Sequence, residues 1–186
     1  MSLDHALLVS LLEKPSTGYE LARRFDRSIG YFWHATHQQI YKVLARMEEA
    51  GWIASRVEAG ESAPDRKLFS VDKPGRRELS RWLAEPGDPE GVRDALLVKL
   101  RGAAFDDPRR LLPELEHHRA THANRLTAYR VIESRDFSGP LDAQHALQYQ
   151  VLKSGIRYEQ GWLEWCEETI ALLHELEQDT QRRETE

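Results

Sequence analysis

Gln38, Tyr41 and Lys42 place an amide, a phenol and an ammonium close together, groups suited to recognising base edges and phosphates rather than to bond making. At about 100° per residue, with Gln38 set to zero, Tyr41 falls near −60°, Lys42 near +40° and Ala45 near −20°. Ile40, Val43, Leu44 and Met47 fall between about 140° and 240° on the same count. A helix through this stretch therefore has an apolar back and a polar front, and a front carrying Ala45 can approach a base pair closely. Glutamine can pair bidentately with adenine, while lysine and tyrosine can reach guanine or phosphate. Thr36, His37, Gln39 and Arg46 belong to the same helix. Tyr19 lies at the start of an earlier one, where free backbone amides can face a phosphate. Arg56, Arg66 and Lys67 flank a hairpin. These eleven residues form the candidate DNA-binding set. Arg23, Arg24 and Arg27 give the earlier helix a basic flank, which is equally the pattern of a solvated face.

Two other clusters invite chemistry. His118 and His122 are four residues apart, so both imidazoles could share one ion, with His117 beside them. They also lie in one stripe with Leu111, Leu115, Tyr129 and Ile132, as seam histidines would, and no zinc-protease glutamate stands between them. No metal site is assigned. Tyr158, Trp162 and Trp165 share one helix face. Core or interface packing explains that face, and so does contact with a flat effector, to which Trp33 beside Phe32 would add a ring. No enzyme site and no cofactor site emerge. The serines lack a nucleophile-elbow setting, phosphate-binding glycine patterns are absent, and the carboxylates are scattered along helices expected to be solvated. The single cysteine, Cys166, excludes an intrachain disulfide and lies in an apolar helical face.

The elements that would hold these groups can be traced along the chain. Helices are predicted over about 2–13, 17–27 and 36–50, the last two opened by the capping boxes Thr17-Gly18-Tyr19-Glu20 and Thr36-His37-Gln38-Gln39. Gly51 ends the third, and β-prone runs at 52–57 and 68–71 form a hairpin. Asp72-Lys73-Pro74-Gly75 caps a fourth helix reaching Leu83. Three helices and a hairpin are the order of a winged helix-turn-helix, whose third helix enters the major groove. Two prolines and two glycines within 84–91 mark a linker. Beyond it the chain reads as helical over 92–100, 106–134 and 142–177, with a polar, frayed end from Gln178. The last helix exposes more apolar surface than its own domain can bury, so it either packs on another chain or kinks near Gly155 or Gly161. The expected fold is mainly α with a small β wing. Its parts are a DNA-binding domain over 1–85, a linker over 86–91 and a helical domain over 92–186.

Charge agrees with that division. The net charge of −5 splits into +1 for residues 1–85 and −6 for residues 86–186. An acidic mean does not exclude a DNA binder, because affinity for phosphate depends on a local basic face. The apolar run at 6–12 is too short to span a bilayer and follows no basic start, so a cytoplasmic location is expected.

Gly18-Tyr19-Glu20-Leu21, then Gln39-Ile40-Tyr41-x-x-Leu44-x-x-Met47-Glu48-x-x-Gly51-Trp52-Ile53, resemble the PadR family of bacterial transcriptional regulators. Asp65-Arg66-Lys67-x-Phe69 with Gly75 continues the pattern through the wing. Val92-Arg93-Asp94-x-Leu96-Leu97-x-Lys99-Leu100 and Gly155-Ile156-x-Tyr158-Glu159-x-x-Trp162-Leu163-x-Trp165 resemble the family's long C-terminal domain. The resemblance implies a homodimeric repressor with an antiparallel helical dimerisation domain. It also implies a pseudo-palindromic double-stranded operator and release by a small aromatic or cationic effector. Asp72 stands where the family often has threonine; both residues cap helices. Glu58, Glu61 and Asp65 leave the wing tip without a basic residue. Two other classes remain at this level: a winged-helix module for protein contacts, and a metal-dependent enzyme or metal sensor built on His117, His118 and His122.

Overall fold

The computed structural model describes residues 3–26, 35–58, 66–89, 91 and 93–185. The chain divides into two compact units, Met1–Pro89 and Glu90–Glu186. In the first, helices α1 (Leu3–Glu13), α2 (Gly18–Asp26) and α3 (His37–Glu49) precede strands β2 (Ile53–Glu58) and β3 (Arg66–Val71) and helix α4 (Lys73–Leu83). Both capping boxes form. Thr17 N–H donates to Glu20 Oε2 at 3.1 Å, and Glu20 N–H donates to Thr17 Oγ1 at 3.2 Å. Thr36 and Gln39 repeat the exchange at 2.8 and 3.2 Å, which fixes where α3 begins. Gly51, at φ 67°, turns the chain out of α3 through the left-handed region. Leu7, Leu8 and Leu11 of α1 close on Leu21 and Phe25 of α2 and on Ile40, Leu44 and Met47 of α3, forming the core beneath the reading face.

The sheet differs from the hairpin expected. A third strand, β1 (Ser16–Thr17), pairs antiparallel with β3, giving the order β1-β3-β2. Ser16 faces Phe69 and Thr17 faces Leu68, so the wing is tied to the loop that opens α2. On the other side of β3 the register runs from Ile53↔Val71 to Glu58↔Arg66. Asp72 occupies the α4 N-cap, yet its side chain makes no cap hydrogen bond. The expected equivalence with a capping threonine therefore does not hold. The α4 start is fixed instead by Pro74 and by Asp72 N–H donating to the Trp52 carbonyl at 2.9 Å. Gly75 lies against that carbonyl so closely that a Cβ would sit 2.2 Å from its oxygen.

In the second unit Asp94 caps α5 (Ala95–Gly102) by accepting from Leu96 N–H at 2.8 Å. Two short 3₁₀ turns, Ala103–Phe105 and Pro108–Leu111, lead into α6 (Leu112–Asp136). α7 (Ala143–Thr185) follows. Contacts from Arg109 to Glu177, His122 to Glu159 and Glu133 to Tyr149 run in opposite chain order, so α6 and α7 are antiparallel. Leu96, Leu115, Ile170 and Leu173 form this unit's core. α7 is one uninterrupted helix of 43 residues, ~65 Å long at ~1.5 Å per residue. No kink occurs at Gly155 or Gly161, and the helix continues past the expected end at Glu177 to Thr185. Gly155 serves packing instead, because a Cβ there would lie 2.9 Å from the Tyr129 ring. Val131, Leu147, Val151, Leu172 and Leu176 remain exposed on this pair of helices. Among the described residues no helix is long and apolar enough to cross a membrane.

Candidate nucleic-acid interface

The capped α3 presents the front expected of it. Gln38, Tyr41, Lys42 and Ala45 are exposed, while Ile40, Val43, Leu44 and Met47 are buried. Thr36, His37 and Gln39 are exposed as well, but the side chains of Thr36 and Gln39 are occupied in the capping box. Tyr41 is 48% exposed and its ring rests on Gly18, where a Cβ would lie 2.5 Å from Cε1. That contact fixes the phenol between the start of α2 and the front of α3.

Beside α3 lies a shallow concavity of about 780 Å³, bounded by Tyr19 and Arg23 of α2, Tyr41 and Ala45 of α3, and Arg66 and Lys67 of β3. Arg23 stacks over the Tyr19 ring at 5.7 Å. Glu20, at its edge, has its carboxyl held below the usual range, first by the Thr17 backbone N–H. Arg66 is exposed and has no ion pair among the described residues. Such a face, with Arg23 and Arg66 at its rim, can accept a phosphate backbone while α3 meets base edges.

Several cations of the basic set are already engaged. Arg46 turns back to α1, its Nη2 2.5 Å from Asp4 Oδ1. Arg56 pairs with Glu58 at 2.7 Å along β2. Lys67 pairs with Glu48 at 2.7 Å and sits over the Phe69 ring at 5.1 Å. Glu48 also accepts from Ser55 Oγ, and its carboxyl is held low by Lys67 and then by Ser55. Arg24 is not part of a basic flank. Its guanidinium turns inward to donate to the carbonyls of Ser10 and Lys14 and to Ser16 Oγ, closing the end of α1, and burial pushes its pKa down. Arg27, Phe32, Trp33 and the wing-tip residues Glu61 and Asp65 lie outside the described residues.

In the helical unit the aromatic stripe is packed around a buried histidine–glutamate hydrogen bond. His122 Nδ1 donates to Glu159 Oε2 at 2.5 Å, with the two side chains 8% and 4% exposed. Trp162 stacks on His122 at 5.1 Å and 7°, and meets Trp165 edge-on at 5.2 Å. His118 tilts against Trp162 at 6.0 Å, while Tyr158 is 58% exposed. Sequence reasoning missed Glu159, counting the carboxylates as solvated. The available signal was its spacing with Ile156, Cys166, Ile170 and Leu173, all buried on one stripe of α7. Burial also pushes the Cys166 thiol up. Among the described residues no group of three or more His, Cys, Asp or Glu side chains is gathered as a metal site requires.

Residues 7–81 match the transcriptional regulator PadR-like family, and residues 92–174 match the family described as virulence activator alpha C-term. The chain is 45% identical to a probable transcriptional regulator of Mycobacterium tuberculosis, covering 94% of this chain and 99% of that one. Bacillus subtilis PadR in complex with operator DNA has a TM-score of 0.76 and 25% identity, over 92% of this chain and 98% of that one. The Vibrio cholerae virulence activator AphA gives 0.77 and 29%, over 94% and 99%. The Bacillus regulator also has a structure with p-coumaric acid.

Proposed function

The chain belongs to the PadR-like family of transcriptional regulators, and from that premise we propose that it is a homodimeric repressor released from its operator by a small aromatic or cationic effector. One observation carries the DNA-binding part: a rigidly capped α3 holds Gln38, Tyr41 and Lys42 outward around the small Ala45. In this reading residues 1–85 form the reading head, 86–91 the linker and 92–186 the dimerisation and effector domain. The exposed apolar residues of α6 and α7 support pairing with a second copy, since an apolar face of that extent needs a partner. Two heads related by a two-fold axis would then read a pseudo-palindrome, with half-sites ~34–36 Å apart or a multiple of it. The protein would act in the cytoplasm, where the DNA is.

The DNA duplex upstream of the protein's own gene provides the test. Gln38→Ala should cost ~1–3 kcal/mol on that site and relax sequence preference, as loss of a base-edge contact does. Lys42→Ala should weaken all sequences alike and lower the salt slope by about one unit. Identical behaviour of the two variants on cognate and random duplexes would refute the division of roles. For release, the accessible edge of the aromatic stripe is Tyr158, because Trp162 is already stacked on His122. Planar aromatic or cationic compounds should weaken operator binding, and Tyr158→Ala should blunt that response while leaving DNA binding intact. An undiminished response would place the effector elsewhere.

A further inference from the structure

The ion pair beneath the wing has a consequence for selectivity, which rests on the DNA-binding reading above. Glu48 is the point where α3 meets both wing strands: one oxygen accepts from Ser55 Oγ of β2, the other from Lys67 Nζ of β3 at 2.7 Å. Serine therefore fixes the carboxylate, and the carboxylate in turn holds the ammonium over the Phe69 ring. Lys67 lines the same concavity as Arg23 and Arg66. Those two and Lys42 on the adjacent front form no ion pair with a carboxylate among the described residues. Arg66 lies near enough to Glu20 to help hold its carboxyl low, but of these four cations it is Lys67 that is held in a direct salt bridge.

We propose that Glu48 is a specificity-determining residue: by keeping Lys67 on the protein it withholds one phosphate contact from sequence-independent DNA binding. Sequence-independent affinity comes from cations replacing the counterions of phosphates, with a salt slope of about −0.9 per contact. A lysine that must leave a carboxylate to reach a phosphate gains little, since the carboxylate then takes up a cation of its own. Discrimination is left to the base-edge groups on α3. The pair is half-exposed, Lys67 at 52% and Glu48 at 31%, so the withheld affinity is modest, about two- to five-fold per chain engaged.

The test uses the full chain and a random-sequence 30-base-pair duplex labelled for anisotropy, from about 50 to 200 mM salt. Glu48→Gln is the informative variant, because the amide oxygen still accepts from Ser55 while the charge that holds Lys67 is gone. It should bind the random duplex about two- to five-fold more tightly and steepen the salt slope by about 0.9 per chain engaged. Lys67→Met, which keeps the stem against Phe69, should move the slope by clearly less than the full unit that loss of a phosphate contact gives. The double variant should return to the parent's values. The inference is overturned if Lys67→Met alone flattens the slope by about one unit, since Lys67 would then already contact phosphate. It is also overturned if Glu48→Gln changes nothing, or if its gain survives undiminished in the Lys67→Met background. Failure of the DNA-binding reading looks different: the parent itself would bind neither this duplex nor its own upstream region at 50 mM salt.

Discussion

Replacing His122 by alanine tests whether the α6–α7 seam is held by a buried hydrogen bond to the Glu159 carboxylate. The imidazole donates to Glu159 at 2.5 Å and both side chains are nearly sealed from water, at 8% and 4% exposure. Arg125 Nη1 stands 3.9 Å from the other Glu159 oxygen, too far to take over the hydrogen bond without moving. Removing the hydrogen-bonding partner of such a buried carboxylate costs ~3–5 kcal/mol, because it leaves the group without its close donor. Loss of the ring stacked on Trp162 contributes ~0.5–1.5 kcal/mol of that. Arg125 lies close enough to relax part-way toward the carboxylate, so the lower end is expected, about 3 kcal/mol. Glu159→Ala should cost less, ~1–3 kcal/mol, since it leaves a polar ring rather than a charge. His122→Leu with Glu159→Leu should return to within ~1 kcal/mol of the parent, as apolar replacements of buried pairs do. Urea unfolding followed by far-ultraviolet circular dichroism, at one fixed protein concentration because association shifts apparent stability, gives all three values. A loss below ~1 kcal/mol in His122→Ala, or a leucine pair as costly as the single losses added together, would refute the reasoning.

Two further outcomes follow from the N-terminal unit. Gly75→Ala should destabilise it by ~3 kcal/mol or more despite better helix propensity, because the new methyl meets the Trp52 backbone oxygen and not a mobile side chain; a urea midpoint unchanged from the parent would contradict this. Glu78 is held down to about 2, first by Arg81 and then by His5. A depressed carboxylate stabilises the fold above its unfolded value near 4.5 and loses that contribution as pH falls toward 2. The difference in Tm between parent and Glu78→Gln should therefore be full at pH 7 and shrink steadily below pH 4.5, and a difference independent of pH would sink the assignment.

Features written in neighbouring residues were legible in the sequence. Both capping boxes, the Gly51 stop and the two-sided character of α3 depend on spacings of three to four positions, and each forms. Features made by distant residues were not. β1 has only two residues and exists because Leu68 and Phe69 pair with it. Nothing near Arg24 in sequence announces that it closes the end of α1, and nothing near Arg46 announces Asp4. A basic residue on a polar face reads as available until its carboxylate is found in another element. Glu159 is the reverse case, a charge read as solvated whose partner lies on the opposite helix. Asp72 shows a third limit, since occupying a cap position does not oblige a side chain to make the bond.

The contact between Gly18 and Tyr41 also bears on how such a protein can change its target. Tyr41 belongs to the surface proposed to meet DNA, and its ring fills the space that a side chain at position 18 would take. The two positions therefore behave as a single heritable unit. A lineage that enlarges residue 18 first must swing the phenol away and lose whatever it reads. One that shortens residue 41 first opens a gap and makes position 18 permissive. Both routes give up what the phenol reads, but only the second does so without a clash against the ring, so new target preferences at this site should arise by loss of the aromatic ring before any change at the glycine.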